Sequence, residues 1–203
     1  MSARVALFVD YQNVYMTARE AFCRPSDPSS FGQIDPSRLA QLICDRALPP
    51  GAEIPRIVSD VRVYAGRPSQ HRDPKGYAAA RRQTAYWIAN GGTVIERTLR
   101  YPPNYPTRPA QEKGIDVSLA IDFVAGAVDG AFDVGIIFST DTDLVPALEL
   151  VLARPGLGVT AEVAAWHTVG ANRPLRVSGQ NVWCHRLEES DYRRAIDKTV
   201  YVR

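Results

Sequence analysis

Two carboxylates on alternate residues, Asp141 and Asp143, stand where an apolar run breaks into a helix. The run Gly135-Ile136-Ile137-Phe138 does not alternate, which marks a strand covered on both faces. Ser139-Thr140-Asp141-Thr142-Asp143 follows, and Pro146 then fits the first turn of a helix beginning near Thr142 or Asp143. In an open α/β sheet such an acidic turn lies at the carboxyl edge of the strands, where ligands bind. Helix capping accounts for one of the two acids, not both. Like charges that close repel unless a cation lies between them.

Two further acids converge on that turn. Asp10 ends the run Val5-Ala6-Leu7-Phe8-Val9. If this strand neighbours the one ending at Phe138, both carboxylates sit on one rim, and the switch point of strand order opens a crevice there. Asp116 opens a helix, and at about 100° per residue it shares a face with Leu119, Ala120, Phe123 and Ala127. A carboxylate at the head of that buried stripe needs a partner, or it serves the helix dipole. Asp122 falls on the opposite side, where pairing with a surface base is expected. Asp141 and Asp143 are spaced so that one binds an ion directly and the other through water.

Hard oxygen ligands without His or Cys suit Mg²⁺ or Mn²⁺. The chemistry that follows is hydrolysis of a phosphodiester, with the carboxylates as ligands and ion-activated water as nucleophile. Asn13, one helical turn past Asp10, either bonds a phosphate or an ion's water, or caps the first helix. Ser139 and Thr140 donate to a phosphate or cap. Lys113, three residues before Asp116, offsets phosphate charge or is a surface lysine. Arg67, at the end of the second strand, is placed with the residues that hold substrate.

The elements that position these groups alternate. Strands are expected over Val5–Val9, Ile57–Ala65, Thr93–Leu99, Asp133–Phe138 and Gly158–Ala165, with a short sixth at Val182–His185. Helices are expected from Asn13 to Cys23, from Asp35-Pro36 to Ala47 with Pro49-Pro50-Gly51 as its stop, and from Asp73-Pro74 to Asn90. Others run from Lys113 to Val128, to Leu152, and along a tail from Ser190 to Val202. Arg100–Glu112, rich in Pro, Tyr and Arg, reads as a flexible loop. The pattern predicts a parallel sheet between helices in a single domain over residues 1–203, with its core at 4–165 and an extension from 166.

With 203 residues, 45% of them apolar, the chain can bury a full core. Cys23, Cys44 and Cys184 form no CxxC pair and read as thiols of a reducing compartment. The first strand is too short and too soon acidic for a signal peptide, and no run approaches the ~18 apolar residues of a membrane helix. The expectation is a soluble cytoplasmic protein. The net charge of +2 is unevenly spread. Residues 62–113 hold ten Arg/Lys against three acids, a balance of +7 that leaves −5 for the remainder. A basic middle beside an acidic site suits a phosphodiester ligand, and Tyr101, Tyr105 and Arg108 offer such a ligand stacking and grip. A phosphatase would want Asp-x-Asp after the first strand, where Asp10 is followed by Tyr11-Gln12.

Phe8-Val9-Asp10-Tyr11-Gln12-Asn13-Val14, Lys113-Gly114-Ile115-Asp116-Val117 with Asp122, and Ser139-Thr140-Asp141-Thr142-Asp143-Leu144 together resemble the NYN domain family of the PIN-like nucleases. Thr140 stands where the family usually has Gly, and Leu144 where it has an aromatic residue. The resemblance implies a three-layer α/β/α fold with a parallel sheet of about five strands in the order 3-2-1-4-5. It implies Mg²⁺- or Mn²⁺-dependent RNA cleavage, with Asp10, Asp116, Asp141 and Asp143 at the metal-binding positions. It also implies self-association, so a homodimer is expected. The competing expectation is an RNA-binding or regulatory module that keeps the fold without cutting.

Overall fold

A computed structural model describes residues 1–46, 54–168 and 174–201. Six parallel strands form one sheet: β1 (Ala3–Asp10), β2 (Arg56–Arg67), β3 (Thr93–Thr98), β4 (Val134–Phe138), β5 (Thr160–Trp166) and β6 (Cys184–Leu187). Their order is β3-β2-β1-β4-β5-β6. The expected order holds for the first five strands. The short sixth is real and lies parallel to β5, pairing Val163 with Cys184 and Trp166 with Leu187. The sheet is therefore one strand wider than the resemblance implied.

β1 is apolar throughout because it is covered on both faces. Val5, Leu7 and Val9 pack on one side, and Ala6 and Phe8 on the other. The first side is roofed by α1 (Tyr11–Phe22), α2 (Pro36–Cys44), α3 (Pro74–Ala89) and α6 (Glu189–Ala195), the second by α4 (Ile115–Val128) and α5 (Val145–Leu152). Leu119, Phe123 and Ala127, one turn apart, form the buried stripe of α4. Phe123 meets Phe8 edge to face at 5.2 Å, which docks α4 over β1 and brings its first turn to the carboxyl rim.

Local signals explain the helix starts. Asp35 accepts from the N–H of Ser37 and Arg38, and Asp73 from that of Gly76, each followed by Pro at the first helical position. α1 begins two residues earlier than expected because Asp10, not Asn13, caps it. α4 begins at Ile115, with Gly114 at φ 72° where a side chain would be strained. A 3-10 turn over Thr142–Leu144 precedes α5.

Two expectations are corrected. The tail is not one long helix: α6 ends at Ala195, and Ile196 then pairs antiparallel with Ile34. The Arg100–Glu112 loop is not loose. Arg100 and Gln111 exchange two backbone hydrogen bonds of 2.8 and 2.9 Å, and the Tyr101 hydroxyl accepts from the Ser69 N–H at 2.9 Å. Tyr101 also packs edge-on against Tyr105. The expected helix end at Ala47, its Pro49–Gly51 stop and the tail's end at Val202 lie outside the described residues. Among the described residues no helix is long and apolar enough to cross a membrane, and the three cysteines are free.

Candidate active site

The order reversal falls between β1 and β4, which pair Val9 with Phe138. The chain leaves both strands at the same rim, so Asp10 and Ser139 are brought together from 129 positions apart. The Ser139 hydroxyl, wholly buried, donates to Asp10 Oδ2 at 2.8 Å. The Asn13 N–H donates to the other oxygen, Oδ1, at 3.3 Å. Ser139 Oγ in turn accepts from the Asp141 N–H at 3.0 Å. Asn13 Oδ1 accepts from the Thr140 N–H at 3.0 Å and from its hydroxyl at 3.2 Å. Since an N–H can only donate, Asn13 turns its oxygen to Thr140, and its NH₂ is the half left over.

A cavity of about 380 Å³ opens beside this network. It is lined by Asp10, Asn13, Asp116 and Asp141, together with Gln12, Met16, Ile115 and Glu112. Three of the four expected aspartates thus face one space. Asp143 does not line it: the residue is exposed, and its N–H donates to Asp141 Oδ1 at 3.0 Å, which caps the turn. Ser139 and Thr140 bond protein partners, fixing the turn between β4 and α5. Lys113 is exposed and outside the lining. Arg67 points elsewhere as well. Its guanidinium pairs with Glu96 at 3.4 Å and lies 5.8 Å from the centre of the Tyr77 ring. Asp122 accepts from the Tyr64 hydroxyl at 2.9 Å and sits 3.5 Å from Arg62, half-buried rather than on the solvent face.

Glu112 is the residue that sequence reasoning missed. The Arg100–Gln111 bridge closes the loop and returns Glu112 to the rim, where its Oε1 accepts from the Gly66 N–H at 2.6 Å. Only glycine permits this approach. A Cβ on residue 66 would stand 2.7 Å from Glu112 Cγ and 2.3 Å from Leu99 Cδ2.

The electrostatics are those of crowded acids. Burial raises the Asp10 carboxyl above its ordinary range. Bonds from Ser139 and Asn13 oppose this, and repulsion from Asp141 and Asp116 adds to it. Burial pushes Glu112 up to about 7, with Asp10 and Asp116 adding repulsion against the Gly66 hydrogen bond. Among the described residues no Lys, Arg or His forms an ion pair with Asp10, Glu112, Asp116 or Asp141. A set of hard oxygens without a basic partner fits Mg²⁺ or Mn²⁺ in kind. In geometry it is not closed: among the described residues no three His, Cys, Asp or Glu side chains are arranged to hold an ion.

With the rim in place, residues 4–179 match the NYN domain family. The chain belongs to that family. NYN domains are PIN-like and generally nucleases, which supports a ribonuclease at the family level, and the superfamily generally uses divalent metal ions. The fold of this NYN domain is similar to the crystal structure of a protein of unknown function from Vibrio parahaemolyticus. The two are 20% identical with a TM-score of 0.51, over 81% of this chain and 82% of the other. Among curated proteins none matches the sequence closely enough to count as a relative.

Proposed function

We propose that this NYN domain is a ribonuclease that hydrolyses phosphodiester bonds within single-stranded RNA, using Mg²⁺ or Mn²⁺ at the cavity lined by Asp10, Asp116, Asp141 and Glu112. The observation that carries this reading is the gathering of four carboxylates from distant parts of the chain on one cavity, with no basic side chain paired to any of them among the described residues. Unneutralised acids at a ligand-binding rim make sense when a cation completes them. When bound, such an ion supplies a lower pKa for the attacking water and stabilisation of charge growing on the phosphate.

The chain's own residues do the positioning. Ser139 and Asn13 hold Asp10 in one orientation. Asn13 has its NH₂ available to a phosphate oxygen or a water. Asp141, capping the 3-10 turn, is held by the same β4 loop. Glu112, near neutral pH, can hold or release a proton at the cavity wall. Asp143, Lys113 and Arg67 are assigned no direct contact with the scissile phosphate. Three cysteines left as thiols favour the reducing cytoplasm, and self-association remains part of the reading through the family resemblance.

A second reading, an RNA-binding module without cleavage, is favoured by the absence of a preformed three-ligand set among the described residues. A cleavage assay on single-stranded RNA with Mn²⁺ separates them. The nuclease reading expects products from the wild type that fall at least about 100-fold in Asp10→Asn and Asp141→Asn. Equal product from all three preparations sinks it.

A further inference from the structure

β6, the outermost strand of the sheet, carries a group of side chains that the acid site does not use. Trp183 stands at its start and is 38% exposed, whereas Trp87 and Trp166 are buried in the core. Its position is fixed. The Val163 N–H donates to the Trp183 carbonyl at 3.0 Å, and the indole meets the His185 ring at right angles, with centroids 6.4 Å apart. His185 is itself held 2.7 Å from the buried Glu162. A single exposed ring is ordinary. The charges around this one are not.

Two cavities of about 520 and 300 Å³ meet at β6 and share Val182, Cys184 and Arg186. Trp183 and Arg46 line the larger, and Arg176 the smaller. Among the described residues no carboxylate lines either, the reverse of the acid cavity. Arg46 is engaged: it pairs with Asp191 and donates to the Arg186 carbonyl at 3.0 Å. Arg176 and Arg186 are exposed, and among the described residues neither forms an ion pair. Both guanidinium groups stand close enough to Cys184 to favour its thiolate, although burial outweighs them and raises the thiol pKa. Two unpaired positive charges therefore converge beside an exposed indole. Charged side chains on an edge strand oppose pairing with a further strand, and Arg46 already occupies the Arg186 carbonyl. A polyanion that carries flat rings answers both features, since phosphates neutralise arginines and bases stack on aromatic faces.

We propose that the β6 edge is a second binding site for single-stranded RNA, separate from the acid cavity. One base stacks on Trp183, and the adjoining phosphates meet Arg176 and Arg186. Trp183 and Arg186 lie beyond residues 4–179, the span matched to the NYN family, so the stacking ring and one of the two arginines belong to this chain's own extension. The proposal goes beyond the nuclease reading and does not depend on it, because holding RNA at β6 requires neither an ion nor cleavage.

The test uses the full chain in EDTA, which leaves the RNA uncut, and a dye-labelled single-stranded RNA of about ten nucleotides. Trp87 and Trp166 are buried, so acrylamide quenching of tryptophan fluorescence reports Trp183. The RNA is expected to shield Trp183 saturably, and polyphosphate of equal charge, which has no bases, is expected not to. By anisotropy, Trp183→Ala is expected to bind about tenfold more weakly, and Trp183→Phe to retain most of the affinity. Arg176→Gln combined with Arg186→Gln is expected to reduce the slope of log Kd against log salt by about 1.4. Asp10→Asn is expected to leave the shielding unchanged. No shielding, equal shielding by polyphosphate, unchanged affinity in Trp183→Ala or an unchanged salt slope overturns the site. So does a loss of self-association in Trp183→Ala, read by sedimentation with RNA affinity intact, which gives the edge to a second copy. The two readings fail separately. Asp10-dependent cleavage without shielding of Trp183 keeps the nuclease and removes the β6 site. Shielding by an RNA that the chain never cuts keeps the β6 site and removes the nuclease.

Discussion

Ser139 donates its hydroxyl hydrogen to Asp10 at 2.8 Å, across the switch point where the order of the sheet reverses. One bond thereby ties the end of β4 to the end of β1 and orients the most buried acid of the cavity. Ser139→Ala removes the donor and leaves a buried carboxylate half satisfied. The bond lowers the Asp10 pKa against burial, so its loss raises that pKa further. The acidic limb of the cleavage pH profile is expected to move to higher pH. Stability is expected to fall by about 1–3 kcal/mol. Rate–pH profiles and denaturant melts of the two proteins check both effects.

Glu112 gives the fold a pH dependence opposite to that of an ordinary acid. Its folded pKa, near 7, lies above the usual carboxylate value of 4.5. Between these values the folded state binds more protons than the unfolded chain, so stability declines as pH rises through that window. Glu112→Gln removes the ionisation. Its melting temperature is expected to exceed that of the wild type at pH 7.5 by roughly 3–6 °C, after discount for partial exposure, and the gap is expected to close near pH 4.5. Thermal melts across pH 4.5–8 measure it. A gap that widens toward acid would mean that another group dominates.

What the sequence made legible follows from where each residue sits. Asp10 and Asp141 end strands, and strand ends in a parallel sheet share a rim by topology alone, so reading the strands was enough to place them. Asp116 was legible from Leu119 and Phe123, whose spacing fixed the buried face of α4. Glu112 was not, because its position depends on a long-range closure, the Arg100–Gln111 bridge, inside a stretch without periodicity. Arg67 was given to the substrate because its charge was visible and its partner Glu96, on the neighbouring strand, was not. Asp143 was paired with Asp141 by spacing, but the 3-10 turn sends it to the surface.

That turn makes the two neighbouring acids unequal toward an ion. Titrating Mn²⁺ is expected to raise the melting temperature of the wild type, by about 2.7 kcal/mol of added stability at a hundredfold excess over Kd. For a chain of this size that is roughly 5–10 °C. Asp141→Asn is expected to lose most of the shift, as is Asp10→Asn, whereas Asp143→Asn retains most of it. Differential scanning fluorimetry against Mn²⁺ concentration, with Ca²⁺ and Mg²⁺ in parallel, reads all three. An equal loss in Asp143→Asn would return that residue to the ligand set.

A control for all of these lies at the opposite edge of the strands, where charge is buried but paired. Glu162 on β5, 1% exposed, receives both arms of the Arg56 guanidinium at 2.7 and 2.8 Å and stands 2.7 Å from His185 Nε2. Burial alone would raise the Glu162 pKa. The bonds from His185 and Arg56 override it and hold the carboxyl below its ordinary value. Its stabilising contribution is therefore present above about pH 4.5 and is lost as pH falls through the lowered folded pKa. Glu162→Gln leaves Arg56 buried without a counter-charge. It is expected to cost about 3–5 kcal/mol at pH 7 and less under acid conditions. Because every acid of the candidate site is untouched, the Mn²⁺-induced shift should survive in this variant at a lower starting melting temperature. Denaturant unfolding at pH 7 and pH 4, with and without Mn²⁺, separates a stability effect from an effect on the ion.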